Sequence, residues 1–395
     1  MITVEKALSE IKKHSNLQHK RVQSVPLNEA LGAVLADTIY APIPLPSFRQ
    51  SAMDGYAIRC HDKKTYKVVG EIKAGDPFEF ELNPGEALRI FTGAGVPDSA
   101  NAIVIQELVD RDHETISAQK APTMGQHIRK TGEQIKKDDI VFEQGTQLNS
   151  PALGILQSLG FTKVKILLPP KVAVIITGNE LEKTGKPLQK GKIYESNSLV
   201  LKTVLQQMGI INGIVEQVED DLKATQNAIE KALNQSHLVL ISGGISVGDF
   251  DFVGQALEQI GVEKLFYKVK QKPGKPLFFG KHKQTLLFAL PGNPASTLNC
   301  FYVFVYPLLQ ALMGRSFNGL LRIKYPLADD FENTTDRALF LKAKIQNGVV
   351  TPLTGQASSM IKAFAMANAL VYIPLSKKKF KKGEKVETLI LPHGN

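Results

Sequence analysis

The sequence predicts a multi-domain α/β protein in which a three-layer domain built on a parallel sheet is accompanied by a discontinuous helical domain, a β-rich insert and a small C-terminal β domain. Three observations carry that expectation. The 395 residues exceed what one ordinary core fills, and 43% hydrophobic with 22% charged residues is a globular composition. Between residues 171 and 318, continuous β-branched runs alternate with amphipathic segments, as in a parallel sheet covered on both faces. Before and after that stretch, short alternating apolar runs are punctuated by Gly, Pro and Asp, as in antiparallel β structure.

Residues 1–40 read as helical. Val4, Ala7, Leu8 and Ile11 recur at helical spacing behind Thr3, and a second helical turn is expected around Leu27 to Leu35. The segment APIPLPSF, Ala41 to Phe48, stops that pattern with three prolines. Residues 41–136 then form the β insert, with runs such as YKVVGEI, ALRIFTG and AIVIQEL. Helix returns within 137–170 at SPALGILQSLG, where Ser150 is the expected N-cap and Pro151 the first helical residue. The two helical stretches are expected to pack as one discontinuous domain. Residues 171–318 run through KVAVIITG, SLVLKTVLQQMG, INGIVEQVEDD, ATQNAIEKALN and HLVLISGG, then KLFYKVKQ, LFFG, LLFAL and a long apolar helix after PGNP. Residues 319–395 return to short alternating strands, as in RALFLKAKI and ALVYIP.

The formal charge of +10 favours an anionic partner. The Lys-rich stretch SKKKFKKGEK near Ser376 has one aromatic and reads as a solvated strand edge or hairpin, so the expectation is a small anionic substrate and not nucleic acid. Cys60 and Cys300 are the only cysteines, too few for a disulfide framework or a thiolate zinc cluster, and read as packing residues. No run of about 18 apolar residues occurs, and MITVEKALSEIKKHSN carries charges where a signal peptide is apolar; a soluble, cytoplasmic protein without a membrane partner is expected.

In an open parallel sheet, ligands bind beyond the carboxyl ends of the strands. After KVAVIIT comes GNE with Glu180, which by itself reads equally as an exposed residue at a glycine turn. After HLVLIS comes GGISVGDFDF. Gly243, Gly244 and Gly248, with Ser246 among them, let backbone N–H groups approach phosphate oxygens, and Asp249 and Asp251 beside such a cradle call for a divalent cation between the charges. A glycine-rich turn with an Asp cap is the alternative there. Neither the dinucleotide fingerprint nor the P-loop pattern occurs. In KPGKP, Lys272 and Lys275 flank Pro273 and Gly274, a stiff turn offering two ammonium groups to an oxyanion or an exposed hairpin turn. PGNPAS places Asn293 before Pro294 as an N-cap, with Ser296 in the first helical turn at a second oxyanion position. In the insert, Asp54 precedes Gly55 in SAMDGYA and Thr92 opens TGAGVP, both ordinary turn signals on their own. The eight histidines are scattered, so carboxylates, lysines and bound cations remain to carry catalysis.

Taken in order, SAMDGYA, TGAGVP, ITGNEL, KIYESNS, ISGGISVGDFDF, KPGKP, ALPGNPAS and GQASSM resemble the molybdopterin molybdenumtransferase family, which includes the enzyme domain of gephyrin. The resemblance covers nearly the whole chain. It implies that the parallel-sheet domain is a molybdopterin-binding domain, in an elongated four-domain homodimer. It also implies a reaction in which adenylylated molybdopterin gives up AMP and its dithiolene takes molybdenum from molybdate, with Mg2+ or another divalent cation. Carried over by position, the family's acidic site residues fall on Asp54, Glu180, Asp220 and Asp251 with Thr92 beside them, the metal being assigned to Asp220 and Asp251. The molybdate-binding positions fall on Lys272, Lys275, Ser296, Arg337 and Ser358. Molybdopterin adenylyltransferase and molybdoenzyme-maturation proteins are the implied partners. Two departures stand out: Gln134 occupies a position where the family commonly has Asp, and Asn179 replaces an Asp frequent in bacterial members. The competing readings are a molybdopterin adenylyltransferase acting one step earlier, and a gephyrin-like scaffold without turnover.

Overall fold

The computed structural model describes residues 1–15, 21–211, 214–245 and 252–392. The chain divides into two compact units, one made of Met1–Val22 with Leu167–Asn395 and the other of Gln23–Ile166.

The unit of residues 23–166 is built on a six-stranded sheet in the order Ala102–Ile105, Gly55–Ile58, Glu86–Ile90, Thr65–Ile72, Thr115–Ala118, Val109–Asp112. The two-residue period of a strand sends Ala57, Leu88, Ile90 and Ile103 to one buried cluster and Tyr56, Ile58, Ala87, Ala102 and Val104 to another. Residues 27–35 differ from expectation. They form the single 3₁₀ turn Leu27–Glu29 and the strand Val34–Leu35, which pairs with Lys163–Leu167 beside Val22–Pro26. Pro26 ahead of the segment and Gly32 at φ 74° within it oppose a continuous helix. The helix Ser150–Ser158 forms as expected, but its cap is one residue earlier: Ala152 N–H donates to Asn149 Oδ1 at 2.9 Å.

In the larger unit the first helix, α1 (Val4–Lys13), departs from the expected helical domain. Val4, Ala7 and Ile11 form one stripe and are buried in the same cluster as the strands of the α/β sheet. The physical reason is that an apolar stripe specifies burial but not the surface that covers it. Six strands make that sheet: β1 (Val172–Thr177), β2 (Val215–Val218), β3 (Leu238–Ser242), β4 (Glu263–Tyr267), β5 (Phe278–His282) and β6 (Thr285–Leu290), in spatial order β2-β1-β3-β6-β5-β4. The first four in that order are parallel; β5 runs against them, and β4, antiparallel to β5, returns to their direction, so the sheet is mixed where a parallel one was expected. Strands β1, β3 and β6 are buried at every residue. Val172, Val174 and Ile176 face α1, α2 (Asn197–Gln207) and α5 (Pro294–Cys300), whereas Ala173 and Ile175 face α3 (Leu222–Gln235) and α4 (Phe252–Gln259). This makes the three layers. Helix continues beyond α5 to Leu312; Pro294–Leu312 is apolar and long enough to cross a membrane, and 78% of it is buried, as in a core helix.

A second sheet follows, in the order Gln271–Lys272, Ala338–Gln346, Ala369–Ile373, Lys385–Ile390, Arg322–Pro326. Its first strand belongs to the KPGKP segment and runs parallel to Ala338–Leu339. The basic stretch forms a short edge strand and not a hairpin: Lys379–Phe380 pairs antiparallel with Phe331–Glu332, remote in sequence, and Lys379 pairs with Glu332 at 3.2 Å, Lys381 with Asp330 at 2.7 Å, and Lys377 with Glu384.

Candidate functional site

From β1 the chain passes to β2 on one side of it and then returns to β3 on the other, so the loops leaving β1 and β3 part at a topological switch point. A cavity of about 400 Å³ opens there, lined by Thr177, Gly178, Glu180, Asp220, Gly243, Gly244, Gly292 and Asn293 among others. Gly243 is required at its position: φ is 103°, and a Cβ would lie 2.2 Å from the Thr177 carbonyl oxygen. The same close approach lets the loop after β3 run along the end of β1. Asn179 and Asp220 clasp each other, Asn179 N–H donating to Asp220 Oδ2 and Asp220 N–H to Asn179 Oδ1, both at 3.0 Å. The Lys192 ammonium donates to the Asn179 carbonyl. The loops after β1 and β2 are thereby tied together, with the carboxylates of Glu180 and Asp220 at the cavity. On its floor, Thr177 Oγ1 and Asn197 Oδ1 are buried without a hydrogen-bond partner among the described residues. Ser246, Gly248, Asp249 and Asp251 lie outside the described residues. Among the described residues, no three of His, Cys, Asp and Glu cluster as a metal cage.

The PGNPAS segment forms one wall of this cavity through Asn293 and Pro294. Asn293 stands at the cap position of α5, but its side chain makes no cap bond; Nδ2 donates instead to Ser358 Oγ at 3.1 Å, and Ala295 N–H donates to the Ser358 carbonyl at 3.2 Å. Ser296, one turn in, is only 2% exposed. The KPGKP turn leans on the same helix. Gly274 has φ 88°, and a Cβ there would meet Cys300 Sγ at 2.5 Å and the Ser296 carbonyl at 3.5 Å. Asn299 Nδ2 donates to the Pro273 carbonyl at 3.2 Å, and Gln271 Nε2 to the Gly274 carbonyl at 2.8 Å. Lys272 is exposed and Lys275 half-buried on this buttressed turn. Burial pushes the Cys300 thiol far up, so it acts as a packing group. Arg337 precedes the strand that pairs with Gln271–Lys272, where Ala338 N–H donates to the Lys270 carbonyl at 3.0 Å. Lys272, Lys275, Ser296, Arg337 and Ser358 are thus carried by segments that touch one another.

In the other unit, Asp54 and Thr92 meet. Thr92 donates to Asp54 Oδ1 from its N–H at 2.7 Å and from its hydroxyl at 2.8 Å. These two bonds, with Arg89 nearby, hold the Asp54 carboxyl below the usual range. Gln134 lines a separate cavity of about 710 Å³ in this unit, together with Arg129, Glu133, Ser47 and Gln50.

Over 98% of its length the chain is 34% identical to the molybdopterin molybdenumtransferase of Staphylococcus epidermidis, covering 95% of that protein. The chain belongs to the molybdopterin molybdenumtransferase family. The enzyme of the same name from Haemophilus influenzae is 39% identical over 80% of this chain and 78% of its own length. Residues 2–160 match the MoeA N-terminal region (domain I and II), 173–311 the "Probable molybdopterin binding domain", and 324–391 the MoeA C-terminal region (domain IV). The crystal structure of the molybdopterin biosynthesis moeA protein from Pyrococcus horikoshii superposes with a TM-score of 0.86 at 30% identity, covering 99% of this chain and 100% of that one.

For a chain of this family, the departure at Asn179 is mild in structural terms, because the bond that its side-chain oxygen accepts from Asp220 N–H needs an acceptor, which Asp would equally supply. Gln134 places a neutral amide in the cavity that Arg129 and Glu133 also line. Three residues were missed by sequence reasoning: Arg129, the buried Asn197 and the buried Lys342. Asn197 stands in the quoted KIYESNS segment, yet nothing in the pattern shows that its Nδ2 reaches Ser242 Oγ at 3.0 Å and the Gly292 carbonyl at 2.7 Å.

Proposed function

We propose that this chain is a transferase that inserts molybdenum into molybdopterin, using molybdate and adenylylated molybdopterin and releasing AMP. The observation that carries the reading is the double use of PGNPAS. It walls the glycine-lined cavity at the switch point, and it also meets Ser358 and the lysine-bearing KPGKP turn. A phosphate-bearing pterin and a tetrahedral oxyanion would therefore be held side by side. Gly243 and Gly244 offer backbone to the nucleotide phosphates. Lys272, Lys275, Arg337, Ser296 and Ser358 offer donors to molybdate, with the Asp336 carboxylate 3.6 Å from Arg337 Nε beside them. Attack of water on the phosphoanhydride frees AMP and leaves the pterin its own phosphate, and the two dithiolene sulfurs replace one oxygen of molybdate, which leaves as water with the two thiol protons.

A divalent cation, Mg2+ by resemblance, suits the carboxylates of Glu180 and Asp220. Asp220 commits Oδ2 to Asn179 and, among the described residues, keeps Oδ1 for a ligand, and a phosphate-bound cation needs only one or two protein carboxylates. Such a cation would offset phosphate charge beside these acids; Asp251 is assigned to the same task. Asp54 and Thr92 are assigned to the reaction by the family pattern, as is a homodimeric, cytoplasmic state with molybdopterin adenylyltransferase and molybdoenzyme-maturation proteins as partners. Support for a catalyst over a scaffold comes from the retained Asp54, Glu180 and Lys275.

Lys275→Ala tests the reading. Losing one charged donor to the oxyanion should raise half-saturating molybdate roughly 10- to 100-fold in cofactor formation, with adenylylated-pterin dependence little changed. Unaltered molybdate dependence in the variant would exclude Lys275 from the oxyanion site.

A further inference from the structure

Lys342 lies on the strand Ala338–Gln346, points inward and is 1% exposed. Its ammonium forms no ion pair among the described residues, and burial alone lowers its pKa. Instead it donates to three backbone carbonyls of one loop: Gly355 at 2.8 Å, Ala357 at 3.1 Å and Met360 at 3.5 Å. An ammonium has three donors, and here all three are spent on a single turn of chain. The backbone repeats the attachment. Lys342 N–H donates to Gln356 Oε1 at 3.1 Å, and Gln356 Nε2 donates back to the Lys342 carbonyl at 2.9 Å.

A buried charge is a poor way to add stability, since an apolar side chain of the same volume packs as well without desolvation. What the ammonium does that an apolar side chain would not is draw three carbonyls to one point. The loop so fixed carries Ser358 between two of those carbonyls. Ser358 Oγ accepts from Asn293 Nδ2 at 3.1 Å, which leaves the hydroxyl proton free to donate elsewhere, and its carbonyl accepts from Ala295 N–H at 3.2 Å. The orientation of that hydroxyl therefore depends on a loop whose shape is set from beneath.

We propose that Lys342 is a positioning residue for molybdate: it holds the 355–360 loop so that Ser358 presents its hydroxyl proton at the start of α5. The inference rests on the molybdate-binding role proposed above for Ser358 and its neighbours.

The test uses the full-length protein and follows cofactor formation against molybdate and, separately, against adenylylated pterin. Lys342→Met keeps the length of the side chain and removes donors and charge. It should raise half-saturating molybdate about tenfold, as losses of supporting contacts around a ligand site do, while pterin dependence stays within about twofold. Lys342→Arg keeps charge and donors and should recover most of the loss. Because Lys342 acts through Ser358, the Lys342→Met, Ser358→Ala double variant should be no worse than its more impaired parent. If Lys342→Met does not fold, Lys342→Gln is held to the same criteria. Unchanged molybdate dependence in a folded variant, equal loss in both substrate dependences, or multiplicative effects in the double variant would overturn the proposal. If Lys275→Ala shifts molybdate dependence and Lys342→Met does not, only this inference fails. A wild-type protein indifferent to molybdate would sink the functional reading and this inference together.

Discussion

Asp54 owes its charge state to one residue that approaches it twice, through the N–H and the hydroxyl of Thr92. The two bonds favour the carboxylate, so its pKa is depressed and the stabilisation it brings is present above the unfolded pKa and lost as pH falls through the folded one. Thr92→Val removes the hydroxyl donor and keeps the backbone donor. The Asp54 titration, followed by carboxyl NMR, should move up toward the ordinary range without reaching it; an unmoved midpoint would mean the hydroxyl bond has no hold on this charge. Each residue sits in a turn-like tetrapeptide, and their separation of 38 positions hides the pair from local pattern. At Gly274 the decisive neighbour is equally remote. Gly274→Ala should cost more than about 1 kcal/mol, since it combines a left-handed φ with a Cβ 2.5 Å from Cys300 Sγ. Adding Cys300→Ala should relieve the clash but not the backbone strain, so in denaturant titrations the double variant should lose less than the sum of the singles.

Among elements, α1 is the one whose character was legible and whose destination was not. The stripe of Val4, Ala7 and Ile11 identifies a helix with one buried face, and Thr3 caps it by accepting from Lys6 N–H at 3.3 Å. Which surface receives that face is fixed by Ile2, whose N–H and carbonyl bond Lys268 and Lys270 at 3.0 and 2.8 Å, and by Tyr372, whose hydroxyl donates to Glu5 Oε1 at 2.5 Å. Burial opposes ionisation of Glu5, yet the bond from Tyr372, with those from its own helix start, keeps its carboxyl below the usual range. Stability from this contact is accordingly present above the unfolded carboxylate pKa and disappears on acidification through the lowered one. Tyr372→Phe should cost roughly 0.5–1.5 kcal/mol at neutral pH, nearer the lower figure because Glu5 is exposed on one side. The gap from wild type should close as the pH falls below the Glu5 pKa; a gap independent of pH in urea titrations would assign the loss to packing. The strands β1, β3 and β6 were legible because burial on both faces demands continuous apolar runs. The reversed direction of β5 was not, since a short apolar run reads the same in either sense.

For the whole molecule, two units with separate cores imply that residues 23–166, one unbroken segment with its own buried clusters, form a folding unit. Expressed alone, that segment should unfold in one cooperative transition, whereas a chain cut after residue 166 should leave the remainder without α1. A non-cooperative melt of the isolated segment would show that its core depends on the rest of the chain. The proposed homodimer is checked by sedimentation, which should give twice the 43.3 kDa of one chain. Sequence by itself determined the α/β class, the loops at the strand ends that carry the candidate site, and the family, because hydrophobic period, glycine placement and motif order are local properties of the chain. Tertiary structure alone decided where α1 packs, that Asn179 and Asp220 clasp, that PGNPAS walls the switch-point cavity and also meets Ser358, and that a buried Lys342 gathers the loop of Ser358. Each of those depends on which surfaces meet and at what register, and contacts between residues far apart in sequence leave no periodic trace in it.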